Sequence, residues 1–331
     1  MKEYKQINKT TNRSSFIMER DLFLDIETLG LSPKTAPVYL IGLGYYAEEG
    51  YEIHQIFAER EDEEGEILQA LFPFLQNAGR ILTFNGEAFD LPFLTNRSHL
   101  YHLPFSYKSA KITWEDRSLE SFDILKAVRS LRRVLQFPHY NQRALEDFLG
   151  IKRDGDLDGG QLIHVYRAFE QDSDPIKLRA LLDHNAFDVA HMPGLLDLLT
   201  YRNILTTEYG IDSFTYDNKG ISFTASSQLM LPAPLSIHKT GMHLQFDGQR
   251  LQMFIPLTDG KMRYYLPNPK DYVRLKADGQ LLPRALASSL DSSSYEKVDR
   301  DTCYQEVTIT DTSLTKEYLS RYLKQILRQL K

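Results

Sequence analysis

The sequence predicts an α/β layered domain, followed by a smaller β-rich domain that ends in a helix. Three observations predict it. Three strand-like runs come in quick succession near the start. Helical and strand patterns then alternate up to a long helical stretch before residue 210. Beyond that point apolar and polar residues alternate, punctuated by Asp-Gly pairs. Strands followed by alternating helices point to helices layered on a sheet, and Asp-Gly between alternating runs is a hairpin signal.

The elements follow in order. Residues 1–20 carry five basic against two acidic side chains without periodicity, and read as a basic tail. "LFLDIET", "PVYLIGLGYY" and "YEIHQIFAE" are separated by short Gly- and Pro-containing segments, as in an antiparallel meander. "EDEEGEILQALFPFLQ" has acidic residues in its first turn and apolar residues at helical spacing. "GRILTFNG" reads as a short buried strand, "SFDILKAVRSL" as strand into helix, and "NQRALEDFLG" as a helix with Gly150 beyond its end. "PIKLRALLDHNAFDVAHMPGLLDLLTYRNIL" is helical, with Pro193 marking a kink or break.

In the second part, Asp247-Gly248, Asp259-Gly260 and Asp278-Gly279 mark turns, and "ASSLDSSSYEK" reads as a mobile loop. The final helix has cap-compatible Ser313 before it and a stripe of Leu319, Leu323, Ile326, Leu327 and Leu330. The organisation expected is a tail over 1–20, an α/β domain over 21–208 and a β-rich domain over 209–331.

With 331 residues, 42% hydrophobic and 25% charged, the chain has an ordinary globular composition. One cysteine, Cys303, excludes an intrachain disulfide and disfavours a thiolate zinc site. No apolar run approaches bilayer length and the first residues lack a signal-peptide core, so a cytoplasmic protein with no membrane partner is expected. The net charge of -6 gives no global attraction to nucleic acid, which leaves local patches.

The chemistry sits in acidic residues at unusual places. Asp25 and Glu27 interrupt an apolar strand two residues apart, so they share one face. Asp90 follows the strand "RILTF", and Asp188 lies on a helix with His184 one turn before it. Oxygen ligands suit magnesium or manganese. Two such ions about 4 Å apart activate water and stabilise the leaving oxygen of a phosphodiester. A histidine, with an ordinary pKa of about 6.5, suits the water's proton. Taken singly, each residue has a plainer role: Asp25 and Glu27 in a turn or cap, Asp90 as a helix cap, His184 in packing.

The combination has a specific likeness. "FLDIETLGLS", "TFNGEAFDLPFL" and "HNAFDVAHM" resemble, in order, the three motifs of the DEDD (DnaQ-like) 3′–5′ exonucleases. With "VYLIGLGYY" they look most like the bacterial YprB-like branch, over roughly residues 20 to 205. The resemblance implies a ribonuclease H-like mixed sheet with flanking helices. It implies metal ligands at Asp25, Glu27, Asp90 and Asp188, two Mg2+ or Mn2+ ions, and His184 as general base. The implied partner is nucleic acid, DNA or RNA, engaged at single-stranded ends.

One departure stands out. In the superfamily's histidine-type enzymes the base precedes the last Asp by five residues, and the four-residue spacing belongs to the tyrosine type. Here a histidine occupies the tyrosine-type position.

Substrate contacts are expected at Asn85, Phe89, Arg132 and Arg133, the arginines lying in "KAVRSLRRVL" with Lys126 and Arg129. A turn Asn, a core Phe and a solvated basic face are the alternatives. Asp123 reads as structural. Tyr264, Tyr265 and Tyr272 suit either base stacking or strand packing. "RDGDLDGG" places Asp154, Asp156, Asp158 and Gly159 in calcium-loop register, but its twelfth position is Val165, so it reads as a solvated loop. Two rival functions remain open: a non-catalytic nucleic-acid-binding protein on the same fold, and an endonuclease or small-nucleotide phosphodiesterase.

Overall fold

The computed structural model describes residues 1–9, 13–153, 159–310 and 313–330. The chain forms two compact units, one of residues 1–130 and 138–199, the other of 131–137 and 200–331. Among the described residues no helix is long and apolar enough to cross a membrane.

The first unit is built on strands β1 (Lys2–Asn8), β2 (Asp21–Thr28), β3 (Val38–Ala47), β4 (Gly50–Phe57), β5 (Arg80–Thr83), β6 (Phe105–Lys108), β7 (Lys111–Trp114) and β8 (Arg117–Asp123). They form one mixed sheet in the order β1-β4-β3-β2-β5-β8-β7-β6. The expected meander is β2–β3–β4, antiparallel throughout. At the centre, β2, β5 and β8 run parallel.

Its helices are α1 (Glu64–Ala70), α2 (Phe72–Asn77), α3 (Asp90–Leu100), α4 (Ile124–Arg129), α6 (Gln142–Leu149), α7 (Gly159–Asp172) and α8 (Pro175–Leu195), while α5 (Arg132–Leu135) belongs to the other unit. Period-2 alternation in β2 sorts the layers. Leu22, Leu24 and Ile26 pack in one core with Ile67, Leu68 and Leu75 of α1–α2 and Leu91 and Leu94 of α3. On the other face Tyr39, Leu40 and Phe57 pack with Leu162, Tyr166 and Phe169 of α7 and Leu181 of α8. Asp25 and Glu27 have the opposite parity to Leu24 and Ile26, and so face the α8 layer.

Several expectations change. The stretch placed in a basic tail contains β1, which pairs with β4 at the sheet edge. Its side chains are mostly exposed, with only Tyr4 packed on the core, so the strand leaves no apolar alternation to read. The single helix expected over Glu61–Gln76 is divided at Leu71, next to Pro73. Pro193 lies inside the last turn of α8, and a 3-10 segment, Leu196–Leu205, follows it. Gly150 does cap α6, at φ 73°. Asp154, Asp156 and Asp158 lie outside the described residues, whereas Gly159 and Val165 are both in α7.

The second unit holds strands β9 (Gly210–Tyr216), β10 (Gly220–Ser226), β11 (Leu235–Lys239), β12 (Met242–Asp247) and β13 (Arg250–Pro256), in sheet order β11-β12-β13-β10-β9. Beyond them β14 (Lys261–Tyr265) pairs with β18 (Tyr304–Thr308). A small sheet joins β15 (Tyr272–Leu275), β16 (Leu281–Pro283) and β17 (Tyr295–Lys297). Asp247-Gly248 and Asp278-Gly279 turn the β12–β13 and β15–β16 hairpins. At Asp259-Gly260 the chain also turns, with φ 50° and 71°, but β13 and β14 enter different sheets. The Ser-rich stretch contains two short 3-10 turns and leads into β17.

Helix α9 (Lys316–Gln329) is capped by Thr315, whose side chain accepts from Tyr318 N, and not by Ser313. Its five stripe residues are buried as expected. Tyr265 is fully buried and unavailable for stacking; Tyr264 and Tyr272 are partly buried.

Candidate active site

Asp25 (β2), Gly42 (β3) and Gln55 (β4) are register partners across three neighbouring strands. The middle position has no side chain, and the Asn185 amide of α8 fills the gap. A Cβ on Gly42 would lie 2.2 Å from Asn185 Oδ1. Gly44 gives similar clearance to Tyr51 and Val189. Two glycines on one sheet face thus allow α8 to approach closely.

The amide orientation follows from the donors. Gln55 Nε2 donates to Leu182 O (2.8 Å), which can only accept, and to Asn185 Oδ1 (3.0 Å). Asn185 must therefore turn its NH2 toward Asp25, and Nδ2 donates to Asp25 Oδ2 at 2.9 Å.

The other carboxylates are held in the same manner. Asp90, the first residue of α3, accepts at Oδ1 from Ile26 N of β2 at 3.1 Å. It is therefore bonded across to the strand, and α3 receives no side-chain cap from the residue before it. Asp188 Oδ1 receives Arg153 Nη2 at 2.5 Å. Arg153 also grips Glu146 of α6, with Nε to Oε2 at 2.6 Å and Nη2 to Oε1 at 2.7 Å. Gln142 bonds Glu146 Oε1 and the Asp188 carbonyl, both at 3.0 Å. His184 Nε2 lies 3.2 Å from Asp188 Oδ2 and 3.6 Å from Glu27 Oε1.

Among the described residues Glu27, His184 and Asp188 bring ligand atoms within 4.8 Å of one another. Asp25 and Asp90 join this group as charges. Burial pushes the Asp25 carboxyl well up, and the charges of Asp188, Glu27 and Asp90 add to it, against the Asn185 bond. Burial lifts Asp90 to about 7 despite its backbone N–H bonds. Asp188 is raised by burial, opposed by Arg153 and His184. Glu146 goes the other way: burial would raise it, but bonds from His191 and Arg153 hold it at about 2. The cluster is thus short of positive charge at Asp25 and Asp90, where burial without a cation is costly.

The remaining expected residues are placed as follows. Asn85 is exposed at φ 64°, turning the chain five residues before Asp90. Phe89 packs against the core and against Phe93, ring centroids 5.3 Å apart. Asp123 caps α4 and accepts from Asn85 N, Glu87 N and Lys126 N, a structural role. A pocket of about 380 Å³ is lined by Asn85, Glu87, Asp123, Lys126 and Arg129. Arg132 and Arg133 are exposed on α5, in the second unit.

Sequence reasoning missed Asn185, Gln55, Gly42, Arg153 and Glu146. Asn185 stood in the quoted "HNAFDV" as the next residue after His184, and two glycines alternating in a buried strand were the sign of a close approach.

Residues 22–200 match the model of the RNase_H superfamily. That is more than half of the chain, and the protein belongs to this superfamily. No curated protein matches the sequence. Among solved structures, the family B DNA polymerase of the hyperthermophilic archaeon Pyrobaculum calidifontis is similar at 20% identity and TM-score 0.45. The match covers 57% of this chain and 26% of the polymerase, so the chain spans about a quarter of that protein's length. A nuclease in its apo form is similar at 18% identity and TM-score 0.32, over 56% of this chain and 73% of that one. NrnC of Brucella melitensis follows at 16% identity and TM-score 0.33, also over 56% and 73%.

Proposed function

We propose that the protein is a metal-dependent nuclease that removes nucleotides from the 3′ ends of DNA or RNA strands. One observation carries this reading. Asp25, Glu27, Asp90 and Asp188 converge from three segments, and in Asp25, Asp90 and Asp188 one oxygen is fixed by Asn185, the Ile26 N–H or Arg153. Fixing one oxygen of a carboxylate orients the other, as outer bonds orient metal ligands generally. Superfamily membership supports phosphodiester hydrolysis.

The residues fit hard divalent cations. The donors are carboxylate oxygens, and burial with mutual repulsion raises Asp25 and Asp90 in a way that a bound cation would relieve. When bound, two Mg2+ or Mn2+ ions would lower the pKa of the attacking water and neutralise the departing 3′ oxygen. Asn185, Gln55 and Arg153 keep the carboxylates oriented. His184 Nε2, beside Asp188 and Glu27, accepts the water's proton. Asn85, with Lys126 and Arg129 at the same pocket, contacts the strand, whereas Phe89 mainly serves the core.

The test compares end-labelled linear strands with closed circles, both DNA and RNA, in manganese. Linear strands should shorten from the 3′ end, circles should survive, and Asp188→Asn should be inert. Cut circles would make it an endonuclease. Binding without hydrolysis of any substrate would leave the non-catalytic alternative.

A further inference from the structure

We infer that the second unit carries its own binding groove for the backbone of a single-stranded nucleic acid, separate from the carboxylate cluster. A groove of about 1180 Å³ lies wholly within this unit. That exceeds the few hundred to about 1,000 Å³ of ordinary small-molecule pockets. One wall is α9, where Arg321, Lys324 and Arg328 recur at helical spacing and are all exposed. The stripe rises about 10 Å along the helix. The rest of the lining adds Lys239, Lys270 and Arg300, and α5 adds Arg133.

Among the described residues these seven cationic side chains share the lining with two carboxylates, Asp299 and Asp301, in a chain of net charge -6. Asp301 is bonded to Lys239, and Glu208 outside the groove pairs with Lys324 at 2.7 Å. Lys270 and Arg328 have no ion pair among the described residues. So concentrated a positive surface on an acidic protein fits a polyanion.

Two aromatic groups bear on which form of nucleic acid the groove suits. Tyr264 lines the groove beside the cations, and so does exposed His238, whose ring stacks on His243 with centroids 4.5 Å apart. Cations along a groove with rings at its wall are how single strands are held, because unpaired bases offer faces to stack. A duplex hides those faces. The choice of nucleic acid over another polyanion rests on the nuclease reading above.

The experiment uses the full chain with EDTA present, so that nothing is cleaved, and labelled 20-nucleotide dT and U strands. Anisotropy titrations across salt should show binding by wild type. The double variant Arg321→Glu/Arg328→Glu should bind at least tenfold more weakly. Its log K against log salt slope should fall by about 1.4, since each single-strand phosphate contact contributes about 0.7. Asp301→Asn, which frees Lys239, should tighten binding. Unchanged affinity in both variants would overturn the groove, as would equal competition by inorganic polyphosphate. Cleavage is scored separately in manganese. A protein that binds through these charges yet cleaves nothing loses the nuclease reading but keeps the groove; one that cleaves while ignoring these charges loses only the groove.

Discussion

Asn185 donates to Asp25 at 2.9 Å, joining positions 160 residues apart through space that Gly42 leaves open. The contact ties the sheet, the helix α8 and the first carboxylate into one unit. Gln55 fixes the amide from behind, so strand β4 also takes part in aiming a residue on β2.

Gly42→Ala tests that arrangement directly. The new Cβ would sit 2.2 Å from Asn185 Oδ1, so the amide must move or α8 must lift. Overpacking of this kind costs about 1–3 kcal/mol. Thermal unfolding should show that loss, and manganese-dependent cleavage should drop at least tenfold as Asp25 loses its donor. A stable, fully active Gly42→Ala protein would remove Asn185 from the positioning role.

The raised carboxyls set a pH dependence for the metal-free protein. Asp90 moves from 3.8 unfolded to about 7 folded, and Asp25 is raised as well. A carboxyl raised in the folded state contributes stability that is fully present below its unfolded pKa and lost as pH rises through the folded one. Metal-free thermal stability should therefore decline between pH 4 and 7. Manganese, displacing those protons, should raise the melting temperature more at pH 8 than at pH 5. Equal shifts at both values would count against a metal at these carboxylates.

Asp25→Asn separates function from stability at a single position. The amide removes a buried charge that Asp188, Glu27 and Asp90 all repel. Without metal at pH 8 the variant should be more stable than wild type by roughly 0.5–2 kcal/mol, as substitutions relieving a strained active site often are. It should lose cleavage and most of the manganese-induced stabilisation. Lower stability together with retained activity would contradict the cluster's electrostatics.

Arg153 is a structural and a positioning residue at once. It is buried between Glu146 and Asp188, which it bonds together. Arg153→Met leaves Glu146 charged and buried, a loss of about 3–5 kcal/mol by analogy with other broken buried pairs. Arg153→Met/Glu146→Gln should recover most of the stability but not the activity, because Asp188 still lacks its bond. Recovery of both in the double variant would show that Arg153 only shields Glu146.

The proposed site drew on strand spacing and on the three-motif resemblance together. Asp25 and Glu27 announced themselves by breaking an apolar strand on one shared face, and the packing of Leu24 and Ile26 shows which face that is. Asn185 and Arg153 carried no such signal. An amide on a helix or an arginine after a helix is ordinary until the fold supplies its partner, and Gly42 makes sense only beside Asn185. The edge strand Lys2–Asn8 was missed because its side chains are mostly exposed and only Tyr4 reaches the core. Helix α7 was missed beside the acidic run that precedes it. Arg132 and Arg133 followed the Asp123 strand closely in sequence, yet the chain passes into the second unit at Leu131.

His184 stands four residues before Asp188, where the resemblance places a tyrosine, and its Nε2 reaches both Asp188 and Glu27. If the position holds the proton acceptor, His184→Ala should lower the cleavage rate by about 10²–10⁴, the usual worth of a general base. His184→Tyr should keep more activity than His184→Ala and move the rate's acid limb. Manganese-induced stabilisation tells a base from a ligand, since only loss of a ligand weakens it. The expected pattern is unchanged manganese stabilisation in His184→Ala with a large rate loss, partly restored by tyrosine. Equal rates in all three proteins would place the base elsewhere in the site.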